Sequence, residues 1–149
     1  MSKFTFQFET LQRLREATRD ERRAHLAEAL RADEILLDRM KEVTTEVDEF
    51  SAQYALPKEG AIHVDRIMEA QRYELLLRAE LQSLQAQRVQ VEAEINVRRE
   101  ALTEADRHVR VLEKLRERQE QQHRLEQQRL EQRALDEVAS QQWWREAAK

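Results

Sequence analysis

The chain has no cysteine, and only one proline and one glycine in 149 residues. The missing cysteines exclude disulfides and thiolate chemistry. Aromatic residues make up 5% of the chain and charged residues 38%. That mixture is too polar for an ordinary globular core, and it is the composition of long helices and coiled coils. No stretch approaches the ~20 apolar residues of a membrane span, and the N-terminus lacks the apolar core of a signal peptide. The net charge is −4 with both signs interspersed. A nucleic-acid binder shows a clustered basic face instead. There is no glycine-rich phosphate loop, no His-Glu-x-x-His and no nucleophile paired with a base. His25, His63, His108 and His123 are scattered, with no i, i+4 pair for a metal. These absences lead to the expectation of a soluble cytoplasmic protein that is not an enzyme, with no cofactor, no metal and no nucleic-acid partner.

The few breakers are concentrated at one place, Leu56-Pro57-Lys58-Glu59-Gly60. Pro57 cannot donate a helical hydrogen bond and disfavours helical geometry at Leu56. Gly60 can take the positive φ with which a chain leaves one helix for another. The expected fold class is therefore all-α: a long two-helix antiparallel coiled-coil hairpin forming a single domain. Helix 1 is expected over about 9–56, the turn over 57–61 and helix 2 over about 62–144. Thr10 is the expected N-cap of the first helix.

Apolar periodicity supports both arms. The first carries Leu26, Ala29, Asp33, Leu36, Met40, Val43, Val47, Phe50 and Tyr54 in steps of three and four, which places them on one stripe. Arg15, Thr18 and Arg22 interrupt it earlier. The second arm carries Ala70, Tyr73, Leu77, Leu81, Leu84, Arg88, Val91, Ile95, Arg98, Leu102, Ala105, Val109 and Leu112. Arg88 and Arg98 are the exceptions, and arginines at such positions snorkel or set register. Counting outward from the turn places Phe8 opposite Val109, so the regular seam ends within a turn of where its partner runs out. This agreement favours a hairpin over an extended homodimer.

Past Leu112 the second helix is expected to overhang with no partner in its own chain. Residues 113–149 hold eight basic and eight acidic side chains and sparse apolar ones, Leu115, Leu125, Leu130, Leu135 and Val138. A helix there would project roughly 50 Å, and a helix that polar calls for a partner. Trp143 and Trp144 are adjacent in a chain poor in aromatics, and tryptophan is enriched at binding hot spots. Phe50, Tyr54 and Tyr73 lie near the turn, as core of the tip with part of their surface left for a partner. At the N-terminus Phe4, Phe6 and Phe8 alternate at period two, as in an extended segment. The segment reads either as a plug for the open end of the hairpin or as a lead segment that touches a partner or membrane.

These stretches together resemble the flagellar FliJ family. The run Lys3-Phe4-Thr5-Phe6, followed by Leu11-Gln12-Arg13-Leu14-Arg15, is similar to the family's opening pattern. Leu112-Glu113-Lys114-Leu115-Arg116-Glu117-Arg118 and Glu131-Gln132-Arg133-Ala134-Leu135-Asp136-Glu137 are similar to its C-terminal signature. The resemblance implies a non-enzymatic stalk of the bacterial flagellar type III export apparatus, at the cytoplasmic face of the inner membrane without spanning it. The implied partners are a hexameric export ATPase, the cytoplasmic domain of an export-gate membrane protein, and export chaperones. On this reading Leu11, Leu14, Leu115, Leu125, Leu130, Asp136 and Glu137 are candidates for the ATPase contact. Phe50, Tyr54, Tyr73 and Leu77 are candidates for the tip contacts, while Trp143 and Trp144 match nothing in the family pattern. Two other readings stand beside it: the equivalent stalk of an injectisome, and a generic dimeric coiled-coil scaffold.

Overall fold

Two long helices account for almost all of the described residues. The computed structural model describes residues 2–54 and 64–149. Helix α1 spans Glu9–Tyr54 and α2 spans Val64–Ala147, 46 and 84 residues. The expected turn at Pro57 and Gly60 lies outside the described residues. Both helices are free of glycine and proline, and acid-before-base pairs at i, i+4 reinforce them locally. Glu9–Arg13, Glu74–Arg78, Glu94–Arg98 and Asp106–Arg110 are ion pairs of this kind, at 2.7–3.3 Å. Asp65 in the first turn of α2 and Arg145 in its last complement the helix dipole.

The start of α1 differs from expectation. The Phe8 carbonyl accepts from the Gln12 amide at 2.9 Å, and the Phe6 carbonyl accepts from the Glu9 amide. Phe8 is therefore the residue that opens the helix, and Thr10 sits inside its first turn rather than capping it. A bulky aromatic serves here because Phe6, two residues earlier, is anchored by burial, which fixes the angle at which the chain enters the helix.

The contacts divide into two units, each containing a stretch of both helices. One unit is Asp20–Thr103, in which α1 and α2 run antiparallel. Asp33 pairs with Arg88 at 3.1 Å, Arg39 with Glu80 at 2.7 Å, and Glu46 accepts from the Tyr73 hydroxyl at 3.4 Å. Val43, Val47, Leu77 and Leu84 form its buried cluster, flanked by Leu36, Met40 and Leu81. Ala29, Ala70 and Ile95 are buried as well. The stripe read from the spacing is thus the helix–helix seam. In these three pairs the partner lies two to four residues further along α2 than counting from the turn gives. Side chains tilt toward the N-terminus of their own helix. In an antiparallel pair the two tilts add, displacing the contact in that direction.

The two arginines of the α2 seam are both engaged. Arg88 bridges Asp33 on α1 and Glu92 on its own helix. Arg98 donates to the His25 carbonyl and pairs with Glu94. The guanidinium of Arg39 is held above its ordinary pKa, first by its hydrogen bond to Glu80 and then by that to Glu42. Arginine is a cation throughout the neutral range with or without that shift, so the Arg39 side of this cross-link does not titrate there.

The other unit is Met1–Arg19 with Glu104–Lys149. Ala105 and Val109 are buried, Val109 completely, together with Phe6 and the polar Gln12. Gln12 accepts from Arg116 and donates to Glu16, both at 3.3 Å. Arg15 meets the His108 ring nitrogen at 3.3 Å. No buried side-chain nitrogen or oxygen lacks a partner among the described residues.

The overhang begins later than the apolar spacing implies. Residues 2–6 are not helical and lie along α2 beyond Leu112. The Phe4 ring contacts His123, with centroids 5.7 Å apart, and the Arg116 guanidinium lies 5.8 Å from the centre of the Phe6 ring. His123 Nε2 is 3.1 Å from the Ser2 carbonyl oxygen, and the Gln127 amide donates to Ser2 Oγ at 2.8 Å. The second helix therefore has a partner in its own chain as far as Gln127. Its seam positions there are Arg116, Gln119, His123 and Gln127, polar residues that a count of apolar spacing passes over. They are half-buried, whereas every residue from 128 to 149 is exposed.

Candidate functional site

The candidate sites are surfaces. Among the described residues no group of three or more His, Cys, Asp or Glu side chains is arranged to hold a metal ion. No described helix is long and apolar enough to cross a membrane.

The first surface is the last part of α2. Leu125, Leu130, Leu135 and Val138 are 52–65% exposed, although each is a residue that helices elsewhere in this chain bury. Asp136 and Glu137 are exposed beside them, and Asp136 accepts from Gln132 at 3.1 Å. At 100° per residue, Leu130, Ala134 and Val138 continue the face that carries Val109, Arg116 and His123. The seam thus extends beyond the strap formed by residues 2–6 and goes uncovered. Leu115 is only half-buried, and Leu11 and Leu14 are exposed on α1 in the same unit. Trp143 and Trp144 are both more than 60% exposed and contact each other edge to face at 5.2 Å. Two large exposed indoles at a helix end form an adhesive patch.

The second surface lies in the unit Asp20–Thr103. Phe50 stacks on Tyr54 at 4.6 Å and on Tyr73 at 5.1 Å. Phe50 is half-buried, while about half of each tyrosine remains exposed. Leu77 does not share that surface. It is 5% exposed and belongs to the cluster with Val43 and Leu84, because it falls on the seam face of α2. A further set of exposed apolar groups on α2 lies on the opposite face. Val64, Met68, Leu75, Val89 and Val97 occupy one arc of about 80°, and all are 48–67% exposed, with Leu76 at 69% beside them. Reading only the strongest periodicity of α2 misses this stripe. A second search at the same period, in a phase about half a turn away, would have found it.

Neither the curated proteins nor the solved structures contain a match to this chain. A family model does match, the flagellar FliJ protein, over residues 4–148. The matched span takes in the strap from Phe4 onward, both helices and the exposed end of α2. It includes the C-terminal motif and all of the opening motif but Lys3. The family is one of non-catalytic components of the flagellar export apparatus, and this chain belongs to it.

Proposed function

We propose that the chain is a stalk that binds the hexameric export ATPase through the exposed end of α2 and couples it to other export components. The observation that carries this reading is the uncovered continuation of the seam. A helical face that keeps Leu130, Ala134 and Val138 in phase with a buried seam is suited to receive a partner. Leu11, Leu14, Leu115 and Leu125 add apolar contacts outside that face, two on α1 and two on other sides of α2, and Asp136 and Glu137 add charges that orient a basic partner surface. A rod in the pore of a ring supplies no catalytic group. It offers different side chains to different subunits and so favours different subunit states, which promotes ring assembly and turnover.

The tip contacts, with the cytoplasmic domain of an export-gate protein and with export chaperones, are assigned to Tyr54 and Tyr73 together with Met68, Leu75 and Leu76. Phe50 supports the two tyrosines from below. Leu77 leaves the contact set because its side chain is consumed by the seam. These partners put the protein at the cytoplasmic face of the inner membrane as a peripheral component.

The test measures the rate and oligomeric state of the export ATPase with and without the chain. Full-length protein should raise both hydrolysis and hexamer formation. A version ending at Gln128, which keeps the docking site of residues 2–6, should lose most of that effect. If the full-length chain changes neither quantity, the stalk reading is abandoned in favour of a scaffold that pairs with itself.

A further inference from the structure

Residues 2–6 are held on α2 as a bound peptide would be. Ser2 touches Gln127 while Phe6 lies beside Arg116, so four steps of strap span eleven residues of helix. That length of helix rises about 16 Å, and four residues of chain reach at most about 14 Å. The strap is therefore close to full extension, with side-chain reach supplying the rest. Extension puts Phe4 and Phe6 on one side of the backbone, and both rings contact α2 side chains.

The polar seam selects an extended occupant over a helical one. Arg116, Gln119, His123 and Gln127 present donors where a coiled coil presents apolar knobs. A helix packed there has its backbone already hydrogen-bonded internally and can answer them only with side chains, as Gln12 of α1 does for Arg116. An extended segment has free carbonyls, and the Ser2 carbonyl meets His123 in this way. Beside it Lys3 and Glu126 line the same open cavity of about 320 Å³. The hold is modest. Phe6 is the buried anchor of the strap, Phe4 is half-buried, and the hydrogen bonds of Ser2 are exposed to water. Contacts of that kind open at low cost.

We infer that residues 116–127 of α2 are a recognition site for an extended aromatic-X-aromatic segment preceded by a basic residue, and that the strap is its displaceable occupant. A partner protein carrying such a segment exchanges with the strap. The inference does not rest on the ATPase contact, whose central residues Leu130, Ala134 and Val138 fall beyond the strap, while Leu115 and Leu125 lie alongside it.

The test uses a fluorescein-labelled peptide of residues 2–8 and the full-length chain. Phe4→Ser/Phe6→Ser empties the site, and circular dichroism establishes that the helices remain. The peptide should bind this double variant at least tenfold more tightly than wild type, and a peptide with both phenylalanines changed to serine should bind neither. A second arm does not depend on that variant folding. Ser2→Cys/Gln127→Cys, in a chain with no other cysteine, is joined by a short bismaleimide to hold the strap closed. Peptide affinity should fall at least tenfold on joining. The inference is overturned by equal affinity before and after joining, by no binding to a folded double variant, or by equal binding of the serine peptide.

Discussion

At the level of single residues, the ion pair between Arg88 and Asp33 decides more than its size implies. It occupies a position where Leu or Val would pack, and Asp33 is only 18% exposed at its side chain. Removing the arginine alone leaves a half-buried carboxylate without its main partner, so Arg88→Ala should lower stability by about 1–2 kcal/mol. Replacing both members by leucine should be neutral or stabilising, since an apolar pair needs no desolvation. The double variant should also lose discrimination between registers, because a polar pair at a seam position penalises slipped alignments. Thermal unfolding measures the first two effects, and cross-linking of cysteines placed on either helix measures the third. A double leucine variant less stable than Arg88→Ala would contradict this account. These residues were legible in the sequence because Arg88 and Arg98 interrupt an otherwise apolar stripe. Arg116, Gln119, His123 and Gln127 were not, since four polar residues in succession on the seam face look like a solvated surface until the strap that covers them is seen.

At the level of elements, α2 passes from a helix supported by tertiary packing to one with little support. Residues 77–112 bury an apolar face against α1, whereas residues 128–149 are exposed on every side. Helices without a packed face are marginal in water even at good propensity. Hydrogen exchange should therefore be slow over 77–112, intermediate over 116–127 under the strap, and fast from 128 onward. Protection of the last stretch equal to that of the first would mean that a partner, or a second copy, covers it. The same reasoning separates the two faces of α2 near the tip. Leu75→Gln with Leu76→Gln should leave unfolding within about 0.5 kcal/mol of wild type, as exposed substitutions do, while weakening capture of tip partners. Leu77→Ala should instead cost about 2–4 kcal/mol through a cavity in the seam. The dominant period of the helix exposed the seam, but a weaker stripe half a turn away is hidden by the alanines and glutamines that dilute it.

For the molecule as a whole, the remaining question is whether the chain completes itself or is half of a dimer. The fold class was readable because a two-helix pattern with one pair of breakers leaves few alternatives, and the family follows from motifs at both ends. Oligomeric state has a weaker signal, the match in length between the seam and its partner, since the same seam also serves a pair of chains. The structure supplies the deciding quantity. Within each unit the seam is closed by residues of the same chain, so the apolar surface left for self-association along that face is Leu130, Ala134 and Val138. Side chains of that size bury a few hundred Å² between two copies, well below the roughly 1,200 Å² of a stable interface. Pairing of two copies through the seam face is therefore not expected, and sedimentation of the 17.9 kDa chain as a monomer at micromolar concentration checks this. Trp143 and Trp144, exposed in the free chain, should show red-shifted fluorescence that moves to shorter wavelength only when the export ATPase is added. A concentration-dependent dimer, returned to monomer by truncation at Gln128, would show instead that the end of α2 is a self-association element. The absence of ATPase stimulation in the same preparation would then identify the chain as a scaffold.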